Sequence, residues 1–142
     1  MANTEIEKVL MTYHEKYEQY DLGEGHPFRG DRFENTMKFF ESHGLLSLPQ
    51  LAIVQPQPAS REDLLRVHAA DYVDLIFRLA RENRQYDVET PVSPEILEAL
   101  LLIVGGAIRC GKVFFDGEAK RAVSLGGGYH HAGRSYGGGF CI

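Results

Sequence analysis

The stretch AVSLGGGYHHAGRSYGGGFC, residues 122–141, joins a short apolar run to two glycine triplets and a pair of adjacent histidines. Residues 122–125 are predicted to form a buried strand. The first glycine triplet follows it directly, and glycine lets the backbone adopt conformations that are closed to other residues. In parallel sheets, functional loops leave the carboxyl ends of strands. The stretch therefore predicts an α/β domain whose chemistry lies in residues 126–141.

Outward from this stretch, short predicted strands alternate with helices, which favours a mostly parallel sheet. Apolar runs predict strands at residues 9–13 and 51–54. Ser93 followed by Pro94 marks the start of a helix that continues to about residue 115. The pair Gly105–Gly106 lowers helix propensity by about 1 kcal/mol per glycine. We therefore expect this helix to pack closely against another backbone at the glycine pair.

Two capping signatures predict where the earlier helices begin. Asp31 with Glu34, and Ser60 with Asp63, have the spacing of a capping box. Gly44 stands where a left-handed C-cap ends the first helix, and the second is predicted to run through residue 79. The first helix should turn an apolar face to the core, made by Phe33, Met37 and Phe40. The tyrosines that follow the first strand also have a spacing that suits a helix, at positions 13, 17 and 20.

Length and composition predict one domain, residues 1–142, with 44% hydrophobic and 25% charged residues. A net charge of -5 argues against direct nucleic-acid binding, which needs a basic patch. The longest apolar run, residues 96–108, is too short to span a membrane, and the polar segment 1–8 is not a secretory signal. Cys110 and Cys141 are too few for a disulfide framework. We therefore expect a reducing, cytoplasmic location.

The histidine pair allows several interpretations on chemistry alone. Residues 126–141 could be a glycine-rich surface loop that happens to contain His130 and His131. They could form a phosphate-binding loop, although no Gly-Lys-Ser/Thr follows. They could contribute to a metal site, although no carboxylate lies close by. The fourth interpretation is a general acid–base pair, since histidine titrates near neutrality. In the last case, we expect a narrow, glycine-walled pocket lined by histidine and aromatic side chains.

Residues 127–141 resemble the signature loop of the histone deacetylase superfamily, which includes acetoin-utilisation proteins and acetylpolyamine amidohydrolases. The family pattern is Gly-Gly-x-His-His-Ala followed, about seven residues later, by Gly-Phe-Cys. The resemblance extends over residues 11–142 through three further segments, which are His26 to Arg32, Val67 to Tyr72, and Thr90 to Gly106. It implies the first part of an arginase–deacetylase-like three-layer α/β fold and the hydrolysis of an N-acyl amide on a lysine or a polyamine.

The resemblance also implies roles for individual residues. His130 matches the histidine that takes a proton from, or positions, the zinc-bound water. His131 matches the one that helps to protonate the leaving amine. Gly139 and Phe140 match the tunnel wall that grips the acyl-lysine stem. The remaining substrate-binding positions are Tyr129 at the pocket floor, Arg32 in an inner cavity that handles acetate, and Glu89 on the rim, where the family often has Asp. His68 and Tyr72 are interpreted as structural.

The zinc ligands of the family, an Asp-x-His pair and a later Asp, lie beyond the Gly-Phe-Cys segment, as does the tyrosine that polarises the acyl carbonyl. The 142 residues contain no Asp-x-His, so we expect this chain alone to bind no zinc and to be inactive. The alternatives are a non-catalytic paralogue or interaction fragment and, less favoured, a phosphate- or nucleotide-binding module at residues 126–128. A parallel sheet that stops here would also leave an open edge, which predicts self-association.

Overall fold

The computed structural model describes residues 7–142. The prediction about a secretory signal rests on residues 1–8 and therefore falls almost wholly outside the described residues. The structure is an α/β fold built on a three-stranded parallel sheet. Its central strand is β1 (Val9–Thr12), which pairs with β2 (Leu51–Val54) on one side. On the other side β1 pairs with the strand that precedes the glycine-rich stretch, Arg121–Ser124. The predicted fold class is confirmed.

The remaining elements surround this sheet. The strand pair β3 (Arg84–Gln85) and β4 (Pro91–Val92) forms a small antiparallel hairpin, so the strand at Arg121–Ser124 is β5. The helices are α1 (Arg32–Ser42), α2 (Arg61–Leu65), α3 (Ala70–Glu82) and α4 (Pro94–Phe115), with 3-10 turns at Glu15–Gln19 and Leu45–Ser47. None of the helices in residues 7–142 has the length and apolar character needed to cross a membrane.

Helix α4 covers one face of the sheet through its glycine pair. A Cβ atom on Gly105 would stand 1.8 Å from the carbonyl oxygen of Gln57, which precedes α2. One on Gly106 would stand 2.9 Å from Oγ1 of Thr12 at the end of β1. The predicted close packing of this helix against another backbone is therefore confirmed. The 3-10 turn at Glu15–Gln19 packs into the same layer, and its Tyr17 is fully buried.

The opposite face of the sheet is partly uncovered. Because strand residues alternate between faces, the side of the sheet that faces away from α4 carries a row of three apolar residues in register, which are Met11, Ile53 and Val123. Met11 is buried between its neighbours, but Ile53 is 41% and Val123 46% exposed. Among the described residues, β5 pairs only with β1, so its outer edge is open.

The predicted capping box at α1 is wrong, whereas the one at α2 is confirmed. The side chain of Asp31 makes no capping hydrogen bond. Its carboxylate instead accepts two bonds from the guanidinium of Arg29, at 3.0 and 2.5 Å, and Glu34 pairs with Lys38. Of the three predicted core residues of α1, Phe33 is buried and the other two are only half-buried. The C-cap prediction holds, since Gly44 has a φ of 71°.

The single helix predicted for residues 60–79 is divided in the structure. α2 ends at Leu65 and α3 begins at Ala70. In the break, the backbone N–H of Ala69 donates to the carbonyl of Arg134 at 2.7 Å, and Nδ1 of His68 donates to the carbonyl of Gly133 at 2.8 Å. These long-range bonds replace backbone bonds that a continuous helix would make, which the local pattern cannot reveal.

The Gly105 contact leads to a stability prediction with an internal control. Gly105→Ala should lower the free energy of unfolding by about 3 kcal/mol or more, because the new Cβ would collide with backbone. Gly111→Ala, in the same helix, meets nothing within 4 Å and should raise that free energy by up to about 1 kcal/mol. Urea denaturation followed by circular dichroism measures both. Equal effects of the two substitutions would contradict the close packing.

Candidate functional site

The glycine-rich segment leaves the carboxyl end of β5 and lies against α4. Residues 125–142 contain turns and one bridge but no helix. Gly126 is buried, and a Cβ atom there would stand 2.8 Å from the side chain of Ile103 and 3.2 Å from the ring of Tyr17. A glycine is therefore required for the segment to pass this close to α4. The phosphate-loop interpretation is weakened, because the helix whose N-terminal N–H groups would hold the phosphate is absent from this segment.

A tight turn presents Phe140 to solvent-accessible space. Gly138 and Cys141 exchange two backbone hydrogen bonds of 2.9 Å, and the two residues between them, Gly139 and Phe140, have φ values of 52° and 67°. Positive φ at both central residues is the signature of a type I′ turn. This conformation is strained for a bulky residue such as Phe. The carbonyl of Phe140 accepts a hydrogen bond from the hydroxyl of buried Tyr20, which holds the turn in place.

Contacts from four other residues also hold the glycine-rich segment against the rest of the domain. His68 and Ala69 bind its carbonyl groups at positions 133 and 134, as described above. The backbone N–H of Gly137 donates to the hydroxyl of Tyr86 in the β3–β4 hairpin at 2.8 Å. Tyr72 is buried, and its hydroxyl lies 2.9 Å from where a Cβ of Gly137 would stand. These contacts support the structural interpretation of His68 and Tyr72.

A cleft of about 410 Å³ lies between this segment and the start of α1. It brings together six of the seven predicted site residues, which are Arg32, Tyr129, His130, His131, Gly139 and Phe140. Glycines 126–128 form part of its wall, together with Phe28, Phe33 and Cys141. Both histidines are exposed. The cleft is therefore open on the histidine side and is not the narrow pocket that the sequence predicts.

The two imidazole rings stack on each other at the mouth of the cleft. Their centroids are 4.3 Å apart and their planes are inclined by 38°. Nδ1 of His130 lies 3.3 Å from the carbonyl oxygen of Gly128. Because a carbonyl can only accept, this nitrogen carries the proton, and Nε2 is left with its lone pair free. The ring of His131 lies against Gly139, where a Cβ would stand 2.9 Å from it.

The inner end of the cleft contains a cation beside aromatic rings. The guanidinium carbon of Arg32 lies 3.8 Å from the ring centroid of Phe28 and 4.3 Å from that of Phe33. Partial burial lowers the pKa of Arg32. Burial raises the pKa of the Tyr129 hydroxyl, and the Arg32 cation opposes that rise. The Arg32 guanidinium lies close to this buried hydroxyl, but no hydrogen bond of ordinary geometry joins the two groups.

The remaining predicted residue, Glu89, lies outside this cleft. It is exposed and lines a second, outer cavity of about 560 Å³. Phe140 lines both cavities and so forms the wall that they share. The loop that carries Glu89 is shaped by a backbone bond from its own N–H to the carboxylate of Asp87 at 3.0 Å. Glu89 and the two histidines thus line different cavities, and Phe140 is common to both.

The described residues do not provide a complete metal site. In residues 7–142, no group of three or more His, Cys, Asp or Glu side chains could hold a metal ion. A catalytic zinc needs three protein ligands and an open position. Zinc therefore does not fit the residues present here by themselves, and we assign none of them as a ligand. Both cysteines are free thiols.

Comparison with known proteins places the chain in a family with this fold. A sequence model described as the histone deacetylase domain matches residues 26–142. The chain therefore belongs to the histone deacetylase family. The match includes the glycine-rich segment, both histidines and Arg32, which the structure gathers around one cleft.

Individual relatives and solved structures agree with this assignment. The chain is 29% identical over 135 residues to a probable deacetylase of Archaeoglobus fulgidus. It is 32% identical over 142 residues to the acetoin utilization protein AcuC of Bacillus subtilis, with 94% of this chain covered. The crystal structure of a histone deacetylase homologue from Aquifex aeolicus superposes over 94% of this chain, with a TM-score of 0.78 and 25% identity. The HDA15 HD domain superposes over 95%, with a TM-score of 0.81 and 20% identity, and shows the fold alone.

The chain spans only part of the length of these proteins. It covers 37% of the Archaeoglobus protein and 36% of the Bacillus one. Of the two solved chains it covers 38% and 40%.

Three residues at the site have no role in the sequence-based prediction. Tyr20 bonds to the carbonyl of Phe140, Tyr86 bonds to Gly137, and the ring of His26 packs edge-on against Phe140 with centroids 4.5 Å apart. The only sequence signal for Tyr20 is its place in a regular series of tyrosines. His26 begins one of the segments that carry the family resemblance, but its contact with Phe140, like that of Tyr86 with Gly137, joins residues more than 50 positions apart and has no local signal.

The contact between Tyr86 and Gly137 can be tested with a matched pair of substitutions. Tyr86→Phe leaves the Gly137 N–H without its partner, so we expect a loss of about 1 kcal/mol in the free energy of unfolding and faster amide exchange at Gly137. Tyr136→Phe, at a side chain that is 61% exposed, should change neither. Denaturation and hydrogen exchange by NMR measure the two effects. Unchanged exchange at Gly137 in the Tyr86 variant would refute the anchoring role.

Proposed function

We propose that the chain is the amino-terminal part of one N-acyl amide hydrolase domain, and that it supplies the proton-transfer pair and most of the acyl-binding cleft. The observation that carries this proposal is the cleft in which His130, His131, Phe140 and Arg32 meet. The substrate would be an acylated amine, most simply an acetylated lysine or polyamine, in keeping with family membership.

The geometry of the histidine pair supports a division of roles. Because Nδ1 of His130 bonds to a backbone carbonyl, its Nε2 is the atom that can accept a proton from an attacking water, as a general base does. His131, stacked beside it at 4.3 Å, is placed to donate a proton to the departing amine. Histidine suits both tasks because its pKa lies near neutrality.

Phe140 and Gly139 suit a slim acyl-bearing stem. An aromatic face offers apolar contact to a chain of methylene groups, and the adjacent glycine leaves room beside it. The strained backbone at Phe140 is held by Tyr20 and by the type I′ turn. Strain that is maintained in this way is common where a side chain must be presented to a ligand.

Arg32 and Tyr129 suit the acid product. A carboxylate at the inner end of the cleft would find the guanidinium of Arg32 and the unpartnered, buried hydroxyl of Tyr129 together. A cation and a neutral donor are the combination that a carboxylate prefers. Their burial supports binding of a small anion, such as acetate, over binding of the amine product.

The zinc implied by the family resemblance would need ligands from outside residues 7–142, since these residues hold no sufficient group. When bound, zinc would supply the activated water. This chain would bind the acyl group and transfer protons. We therefore expect no hydrolysis by this chain alone.

A chimera tests this proposal. Residues 1–142 would be followed by the portion of the Bacillus acetoin utilization protein that lies beyond the matched region. We expect zinc-dependent release of acetate from an acetyl-lysine peptide by the chimera and none by residues 1–142 with added zinc. His130→Ala should lower the turnover of the chimera by about 100-fold or more, as measured by acetate release.

His43→Ala is the control, because this exposed histidine follows α1 and lines neither cavity. It should retain full turnover. A folded, zinc-loaded chimera without activity, or a His130 variant as active as the unsubstituted chimera, would contradict the proposal. Turnover by residues 1–142 alone would contradict the division of the site between two portions.

The uncovered sheet face supports a second proposal, that this chain associates with another copy of itself. Val123 is partly exposed beside the open edge of β5, Ile53 is partly exposed on β2 across the same sheet face, and open edges recruit further strands. Val123→Lys should therefore weaken self-association in sedimentation equilibrium. Val88→Lys is the control, at a residue that is 90% exposed on the distant hairpin loop. A monomer at every concentration reached would exclude this association.

A further inference from the structure

The outer cavity lies on the far side of Phe140 from the histidines. It has a volume of about 560 Å³ and is formed by the loop at residues 22–27 and the hairpin at residues 85–91. A substrate whose acyl-bearing stem passes along Phe140, as the proposed function requires, would place the rest of its structure in this cavity. The groups that line the cavity then determine which molecules can present an acyl group to the cleft.

Among the residues that line this cavity, His26 has a side chain whose tautomer is fixed by a hydrogen bond. Its Nδ1 accepts a hydrogen bond from the backbone N–H of Phe28 at 2.9 Å. Because this nitrogen acts as the acceptor, the neutral ring carries its proton on Nε2. No hydrogen bond to Nε2 occurs among the described residues. The ring thus presents one free donor, in a fixed tautomer.

The position of the ring is fixed as well as its tautomer. It packs edge-to-face on Phe140, with centroids 4.5 Å apart and planes at 86°. The bond to Phe28 holds its inner edge, and Phe28 itself lies against Arg32. Two contacts hold this donor beside the proposed path of the stem. The side chain therefore loses little further conformational entropy when it binds a ligand.

We infer that His26 is a specificity residue that donates a hydrogen bond from Nε2 to a main-chain carbonyl beside an acylated lysine, so that the site takes acyl-lysine within a peptide. This inference rests on the proposed function. A peptide has such a carbonyl on either side of the modified residue. An acylated polyamine has no carbonyl besides the acyl group with which to accept this bond, and its ammonium groups would meet the Glu24 and Glu89 carboxylates of the same cavity instead of His26.

Three probes and NMR titration of the ¹⁵N-labelled chain test the inference without requiring catalysis. The peptide-like probe is Nα-acetyl-Nε-acetyl-lysine N-methylamide, the stem probe is N-butylacetamide, and the polyamine probe is acetylspermidine. We expect the peptide-like probe to bind about tenfold more tightly than the stem probe, which is the contribution of one well-placed hydrogen bond. Each probe should shift the signals of His130 and His131.

Substitutions at position 26 separate the donor from the packing. His26→Phe keeps a ring against Phe140 but has no donor, so its affinity for the peptide-like probe should fall to that for the stem probe. His26→Gln retains an N–H donor at a similar reach and should recover part of the difference. His14→Ala is the matched control, since Nδ1 of His14 accepts the same kind of local bond, from Lys16 N–H at 3.0 Å, but His14 lines neither cavity.

The outcomes distinguish this inference from the proposed function. If the peptide-like and stem probes bind equally, if His26→Phe binds the peptide-like probe as the unsubstituted chain does, or if acetylspermidine binds most tightly, the inference is overturned and the proposed function stands. If no probe shifts the signals of His130 and His131, both are overturned. The expected order, with loss in His26→Phe and not in His14→Ala, supports the inference.

Discussion

The contact on which this structure depends is the close approach of α4 to the sheet. Gly105 and Gly106 let the helix backbone lie against the carbonyl of Gln57 and the end of β1, at distances that no side chain would allow. Gly126 allows a similar close approach where the chain leaves β5 and passes over Ile103 of the same helix. The sheet, the long helix and the functional segment therefore approach one another closely at three glycines, and a side chain at any of these positions would force them apart.

Tyr17 and Tyr20 connect this core to the site. Both are fully buried, Tyr17 in the 3-10 turn that follows β1 and Tyr20 directly after that turn. Burial raises the pKa of Tyr17 to about 12, so it is a neutral packing group. Tyr17 supports Gly126, while Tyr20 bonds to the carbonyl of Phe140. The cleft is consequently rigid on its aromatic side. On its other side the two histidines stack on each other and remain open to solvent.

Two predictions from the sequence failed because the groups concerned found other partners, a neighbouring side chain in one case and a distant segment in the other. Asp31 has the spacing of a capping residue, but Arg29 takes its carboxylate. Residues 66–69 have a helical pattern, but the glycine-rich segment takes their hydrogen bonds. By contrast, Ser60 and Asp63 form the predicted capping box, and Arg66 approaches the Asp63 carboxylate only to 3.9 Å without displacing it.

The sequence by itself determined the three main strands to within one residue, the full extent of α4, the place of the functional segment at the carboxyl end of β5, and six residues of the cleft. These follow from local periodicity, from proline and glycine stereochemistry, and from a specific motif. Only the tertiary structure decided that His26 and Tyr20 stand beside Phe140, that Glu89 lies in a separate cavity, and that the cleft is open. Tyr20 and Phe140 are 120 positions apart, and such contacts are set by how helices pack on the sheet, which no local pattern encodes.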